Sequence, residues 1–263
     1  MLSSSNILSQ LPAYFLEKYN RKILIFDTLT STNDYLLDLA KRESPDLQVC
    51  VSHTQTAGRG RYQKRWQSPP GGNLYYSHLF KINSIDLFSG ISLAVGINLC
   101  KFIREIYHLD CWIKWPNDIY VDRSDPKKIA GILSEFTMNS FKQHFLIIGI
   151  GVNVVVPEPI LSQLGATDFA SQQVKLIDRS IFIAQMIALV DTAVNDLVKG
   201  KWLGYYESWS DYDILYGKKI HLKTATDCFQ GICKGITNLG YLQVLINGKL
   251  EQFSAAEVSI VKQ

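Results

Sequence analysis

A chain of 263 residues, 47% hydrophobic and 19% charged, has the composition of an ordinary globular protein that builds one large core, or a core domain with a smaller appendage. Its net charge of +3 is too small to argue for a nucleic-acid binder by itself, so its basic character must be sought locally. Its five cysteines (Cys50, Cys100, Cys111, Cys228 and Cys233) form no C-x-x-C pair, which argues against a zinc site or disulfide framework and for a reducing, cytoplasmic setting.

In chain order, Met1-Leu2-Ser3-Ser4-Ser5 lacks the basic and apolar regions of a signal peptide. Residues 1–20 are too few for a separate domain, and Leu11 to Tyr19 reads as a short helix. Ile23 to Phe26 reads as a buried strand. Ser31-Thr32-Asn33-Asp34 then has the capping-box form, opening a helix to about Arg42 with Leu36, Leu37, Leu39 and Ala40 on its apolar face. Strands are expected at Val49–Val51 and Asn73–Phe80. A helix capped by Asp86 or Ser89 runs to about Tyr107, apolar nearly all round and therefore buried. Its most apolar part is too short and too interrupted for a bilayer, so no membrane partner is expected. Strands follow at Cys111–Trp115, Ile119–Val121, Lys128–Met138 and Phe145–Val156. Residues 157–177 read as loop, and Asp178 starts a helix ending at Gly200. After a polar aromatic segment, Lys219–Lys223, Phe229–Thr237, Tyr241–Ile246 and Leu250–Phe253 alternate with turns at Asn238-Leu239-Gly240 and Asn247-Gly248. That change of period divides the chain into 1–213 and a small β-barrel-like domain, 214–263.

The chemistry concentrates in Gly58 to Tyr75. Arg59, Arg61, Lys64 and Arg65 fall within seven residues, Trp66 follows, and no carboxylate lies between Asp46 and Asp86. Glycine lets backbone approach a ligand closely, and arginine offers a planar fork for carboxylate or phosphate oxygens. An anionic ligand with a flat ring is the expectation. Three further polar stations interrupt apolar strands: Lys114 with Asn117 and Asp118, Lys128 ahead of Gly131, and Asn153 after Gly149 and Gly151. Each alone reads as turn chemistry or a strand-end lysine, and Ser31, Thr32 and Asn33 alone read as a helix cap. Their convergence with a cationic loop reads as a ligand site.

The string GRGRYQKRWQSPPGGNLYYS, followed in order by KWPNDIY, KKIAGIL and GIGVN, resembles the biotin–protein ligases, and with Ser31-Thr32-Asn33 and the β-rich tail the likeness covers the chain from about residue 23. The resemblance implies an α+β fold, a mixed β-sheet flanked by helices akin to class II aminoacyl-tRNA synthetases, with a C-terminal SH3-like β-barrel. It implies biotin and ATP as substrates, Mg²⁺ on the phosphates, biotinyl-5′-adenylate as intermediate, and a biotin carboxyl carrier domain of a carboxylase as partner. Ser31, Thr32, Asn33 and Gln55 then bind the ureido ring, and Gly58, Arg59, Gly60 and Arg61 close over biotin beside Lys128 and Gly131. Arg59, Arg61, Lys114, Asn117 and Lys128 face the phosphates, while Trp66 stacks on adenine near Asn153. Arg61, Lys114, Asp118 and Lys128 make up the catalytic set, Asp118 either orienting Lys114 or taking a proton from the incoming amine. The loop also keeps water from the anhydride. With about twenty residues ahead of the first strand, no DNA-binding or repressor role is expected. A homodimer is compatible with the family. Val261 stands where relatives can carry an arginine near the nucleotide, with Lys262 as the substitute. Two rival readings are a lipoate–protein ligase-like enzyme and a module binding nucleic acid through Arg59, Arg61, Lys64, Arg65 and Trp66.

Overall fold

The computed structural model describes residues 2–85, 90–174, 177–224 and 227–261. The expected caps Asp86 and Ser89, and Lys262, lie outside the described residues. Helices α1 (Ser4–Ser9) and α2 (Ala13–Tyr19) precede strand β1 (Ile23–Leu29), and α3 (Thr32–Arg42) crosses over to β2 (Leu47–Gln55), which pairs with β1 in parallel. Then come β3 (Leu74–Ile82), α4 (Ile91–Tyr107), β4 (Cys111–Lys114), β5 (Asp118–Val121), β6 (Lys127–Met138) and β7 (His144–Val152). They complete a seven-stranded sheet of order β1-β2-β3-β7-β6-β5-β4, antiparallel from β2 onwards. Helices α5 (Glu158–Leu164), α6 (Arg179–Val198) and α7 (Trp202–Ser208) lead to β8 (Lys219–Lys223), β9 (Cys228–Ile236), β10 (Leu242–Ile246), β11 (Lys249–Phe253) and β12 (Ser259–Val261). These form an antiparallel sheet of order β11-β10-β9-β8-β12. Its edges, β11 and β12, do not pair with each other among the described residues, so the small sheet is open where a barrel was expected.

The α+β class and the mixed sheet are as the sequence implies. Strand β7 stops four residues short of the expected Val156, because Val154 and Val155 turn their N–H groups onto Asn73 Oδ1 at 2.8 and 3.0 Å and leave the ladder. The segment read as loop contains α5.

Alternation along the strands assigns the two faces of the large sheet. On β7, Leu146, Ile148, Ile150 and Val152 pack into the main core with α4 and α6, while Phe145 and Ile147 join Leu36, Leu39 and Ala40 of α3 on the other side. Helix α6 is long and apolar enough to span a membrane by length and composition, but it is mostly buried against α4 and β3 as a core helix. On the α3 face, the positions that continue Phe145 and Ile147 are Gly149 and Gly151. Register sets Ser77 beside Gly149 and Gly131 beside Gly151, so this face changes from bulky to nearly bare beyond the start of α3.

A buried polar chain ties the N-terminal helices to the other face. Tyr19 Oη donates to Asp191 Oδ1 at 2.8 Å, Lys18 pairs with the same carboxylate, and Asn195 donates to its other oxygen at 2.8 Å. With its proton committed to Asp191, Tyr19 Oη accepts from His78 Nε2 at 3.1 Å, leaving His78 Nδ1 to accept from Tyr76 Oη at 2.7 Å. Each contact is consistent with a neutral imidazole. Burial, and then the Lys18 charge, holds the His78 pKa well below its ordinary 6.5. Protonation therefore favours the unfolded chain, so this contribution is complete above pH 6.5 and is lost as pH falls below it. Denaturant titrations should show stability declining below that pH by up to about 1.4 kcal/mol per unit from this group. The decline should be shallower in His78→Gln; equal slopes would refute the assignment.

Candidate functional site

The bare patch of the large sheet is the floor of a cavity of about 230 Å³, lined among others by Gly131, Leu133, Gly149 and Gly151. The start of α3 forms one wall (Ser31, Thr32, Asn33), the loop after β2 the roof (Gln55, Arg59 to Tyr62, Lys64 to Trp66), and the β4–β5 turn the far wall (Lys114 to Asp118). Lys128 joins the far wall from β6. Sequence-distant stations thus converge as expected.

The wall at α3 is a hydrogen-bonded set of neutral groups. Ser31 caps α3, its Oγ accepting from Asp34 N at 3.4 Å. Gln55 Oε1 accepts from Thr32 N at 2.8 Å and from Thr32 Oγ1 at 3.2 Å, and Gln55 Nε2 donates to Ser68 Oγ at 3.0 Å. Ser77 Oγ lies 2.7 Å from Thr32 Oγ1 and 2.5 Å from Asn33 Oδ1, with a single proton for the two acceptors. Asn33 Nδ2 donates to Glu135 Oε2 at 2.8 Å and reaches the carbonyl of Leu133 at 3.3 Å.

Arg59 does not stand free. Its Nη1 and Nη2 donate to the two oxygens of Glu135 at 2.9 and 2.8 Å, and Nη2 lies 2.6 Å from Asp34 Oδ1. Burial works against the guanidinium charge, but Glu135 and Asp34 outweigh it and raise the pKa. Of the carboxylate-free stretch, Arg59 is thus neutralised in space, and Asp34 serves Arg59 instead of closing a capping box.

Arg61 is held differently. Burial lowers its pKa from the ordinary value, though the guanidinium stays charged near neutrality. Its Nη1 donates to Asn117 Oδ1 at 3.3 Å, while Asn117 exchanges hydrogen bonds with Ile132, N to O at 2.9 Å and Nδ2 to O at 2.8 Å. Lys128 Nζ lies 2.6 Å from Asp118 Oδ1, so Asp118 holds Lys128. Lys114 is Asp118's cross-strand neighbour, its Nζ 5.8 Å from the centre of the Tyr120 ring.

Trp66 lies flat on the bare strands. A Cβ built at Gly151 would meet its ring at 2.4 Å, one at Gly131 at 3.0 Å, and Lys128 Nζ stands 5.1 Å from the ring centre. The bare positions Gly149 and Gly151 are thus approached by protein side chains, Asn33 over the first and Trp66 over the second. Trp66 Nε1 is buried with no hydrogen-bond partner among the described residues. Two expected residues stand off the main cavity. Gly58 is packed beneath the loop, where a Cβ would meet Ser68 Oγ and Trp66 O at 2.7 Å. Asn153 lines an adjoining cavity with Trp66, Lys114, Asp118 and Lys128, and its Nδ2 donates to Thr167 O at 3.0 Å. The sequence reading overlooked Ser77, Glu135 and Tyr62. Ser77 and Glu135 were legible as polar positions within the α3 face of their strands.

The sequence profile of the Biotin/lipoate A/B protein ligase family matches residues 25–153. The chain is 30% identical over 244 residues to the bifunctional ligase/repressor BirA of Salmonella typhimurium, covering 90% of this chain and 74% of that protein. It is 28% identical to BirA of Escherichia coli, covering 99% and 78%. Its fold is similar to that of the Aquifex aeolicus biotin protein ligase solved with biotin and ATP, at a TM-score of 0.76 and 22% identity, covering 92% of this chain and 100% of that one. The chain belongs to the biotin/lipoate A/B protein ligase family, among its biotin–protein ligases.

The packing of Asn33 on Gly149 yields a direct test. In Gly149→Ala the new Cβ would lie 2.2 Å from Asn33 Oδ1, so the amide must leave Ser77 and Glu135. Denaturant unfolding should show a loss of roughly 1–3 kcal/mol, the cost of stranding buried polar groups. Unchanged stability would mean that the network is not coupled to this position.

Proposed function

We propose that the chain is an ATP-dependent biotin–protein ligase. It joins biotin to ATP as biotinyl-5′-adenylate, releasing pyrophosphate, and passes the biotinyl group to a lysine of a biotin carboxyl carrier domain, releasing AMP. The observation that carries this reading is the polarity of one continuous cavity: a neutral hydrogen-bonding end at Ser31, Thr32, Asn33 and Gln55, and a cationic end at Arg61, Lys114 and Lys128. A cyclic urea bearing a carboxylate tail matches that polarity. The single proton of Ser77 leaves Thr32 or Asn33 with acceptor capacity for a ureido N–H, and a floor rich in glycine leaves room for a bicyclic ring.

In the first step a biotin carboxylate oxygen attacks the α-phosphorus and the bond to the β-phosphate oxygen breaks. Two anions must meet, so the barrier is largely electrostatic, and pre-positioned cations lower it most. Lys128 and Arg61 take the carboxylate and α-phosphate, with Lys114 on the phosphates. Asp118 holds Lys128 at the mouth of this region until phosphate oxygens compete for it. Magnesium enters with the nucleotide. Among the described residues no cluster of three His, Cys, Asp or Glu is placed to hold a metal ion, so phosphates and water supply most of its oxygens. In the second step the lysine amine of the carrier attacks the acyl carbon, AMP leaves, and the amine proton passes to a nearby base, for which Asp118 is placed. Trp66 and Asn153 border the adjoining cavity of about 350 Å³, assigned to the nucleoside. The open sheet from β8 to β12 is taken as the SH3-like domain of 214–263, and the five free cysteines fit a reducing cytoplasm.

Biotin-dependent exchange of pyrophosphate into ATP tests the reading, and exchange no greater than background would overturn it. Lipoate in place of biotin should give little exchange, and the reverse preference would move the chain to the lipoate ligases. Lys128→Ala should reduce exchange by about 10²–10³-fold, the usual effect of removing one transition-state charge partner. A change below a few-fold would remove Lys128 from the catalytic set.

A further inference from the structure

The roof loop is fastened to the small sheet by Tyr62, which the reaction scheme does not use, together with Arg61. Tyr62 Oη lies 2.6 Å from the carbonyl of Ala255 and 2.9 Å from that of Val258, in the segment joining β11 to β12. Arg61 Nη2 donates to Tyr62 Oη at 3.0 Å and also to the Ala255 carbonyl, and the guanidinium stands 4.8 Å from the Tyr62 ring centre. A hydroxyl that accepts from a cation is polarised and donates more strongly. The receiving segment is itself braced. Ser254 N donates to the Glu257 carboxylate at 2.7 Å, the Val258 side chain is buried, and β12 pairs with β8.

Away from the small sheet the roof is braced by Arg59 on Glu135 and Asp34 and by Arg61 on Asn117. Its internal bonds, Gly60 N to Lys64 O at 2.7 Å and Trp66 N to Gly58 O at 2.9 Å, shape the hairpin without attaching its tip. Tyr62 sits at φ +54°, ψ +38°, a left-handed conformation that side-chain-bearing residues adopt at a cost. Its ring is half exposed and adds little to the core. A strained backbone, an exposed ring and a hydroxyl on two carbonyls of another sheet describe a catch more than a packing residue.

We propose that Tyr62 is a positioning residue whose hydroxyl latches the roof loop to the Ala255–Val258 segment, so that retention of the reactive adenylate depends on the small sheet. The latch is a matter of geometry; its link to adenylate retention rests on the ligase reading. Opening the latch lets the roof lift with Arg61, while Lys114 and Lys128, which stand on β4 and β6, stay in place. The step it governs is therefore escape of the adenylate, more than its formation.

Tyr62→Phe removes the hydroxyl's contacts with the Ala255 and Val258 carbonyls, leaves Arg61 on Ala255, and keeps the ring. Two measurements on the full-length protein test it. Trypsin has four sites between Arg59 and Arg65, and cleavage there should be about tenfold faster in Tyr62→Phe while cleavage elsewhere is unchanged. With biotin and ATP supplied and no acceptor, the ratio of adenylate released to adenylate formed should also rise about tenfold, the change that roughly 1.4 kcal/mol makes. Equal loop cleavage in the two proteins overturns the latch. Faster loop cleavage with an unchanged release ratio overturns its role in retention. Absence of adenylate in the unaltered protein overturns the ligase reading instead, and leaves the cleavage result to decide the latch.

Discussion

The site depends on a steric constraint: where the α3 face of the large sheet leaves the helix, Ser77, Gly131, Gly149 and Gly151 stand among Tyr75 and Leu133 and leave a hollow. Sheet faces normally carry side chains that fill the space to the next layer. Here four adjacent positions decline to do so, and the space is taken partly by Asn33 and Trp66 and partly by the cavity. Depth, flat walls and the reach of the cationic residues all follow from that. A single methyl group on Gly149 or Gly151 would collide with Asn33 or with the indole.

Charge is then arranged in two tiers. Arg59 is satisfied by Asp34 and Glu135, which makes it a brace between the roof, α3 and β6. Lys128 has one carboxylate, Asp118, and Arg61 has an amide and a carbonyl in place of an ion pair. Cations that are poorly compensated by their own protein are the ones on which an anionic ligand gains most, because burial has already removed part of their hydration. Arg59 and Arg61 are therefore not interchangeable, although they stand two residues apart.

Much of this was legible in the sequence. Local patterns placed α3, α4, α6 and most strands, and polar residues interrupting apolar strands marked Lys114, Asp118, Lys128 and the glycines. What could not be read is what depends on distant partners. Glu135 and Asp34 neutralise Arg59 from a separation of many residues, and Asp118 pairs with Lys128 because β5 and β6 are neighbours. Asn153 is drawn to Thr167 and the adjoining cavity by a loop with no periodic signal. The short helices α1 and α5 lack the length over which a helical period declares itself. The expected barrel is an open sheet because strand pairing, unlike strand existence, is a long-range property.

The amino-terminal arm has a practical meaning for anyone shortening this chain. A boundary at β1 looks natural on the sequence, since the recognisable motifs all follow it. Yet Ile7, Phe15 and Tyr19 are fully buried, and Tyr19 stands between the Asp191 carboxylate and the His78 imidazole. Trimming to residue 22 would uncover apolar surface on α6 and take from a buried carboxylate both its phenol and its ammonium partner, leaving it Asn195 among the described residues. The arm is interior structure that happens to lie at the beginning of the chain.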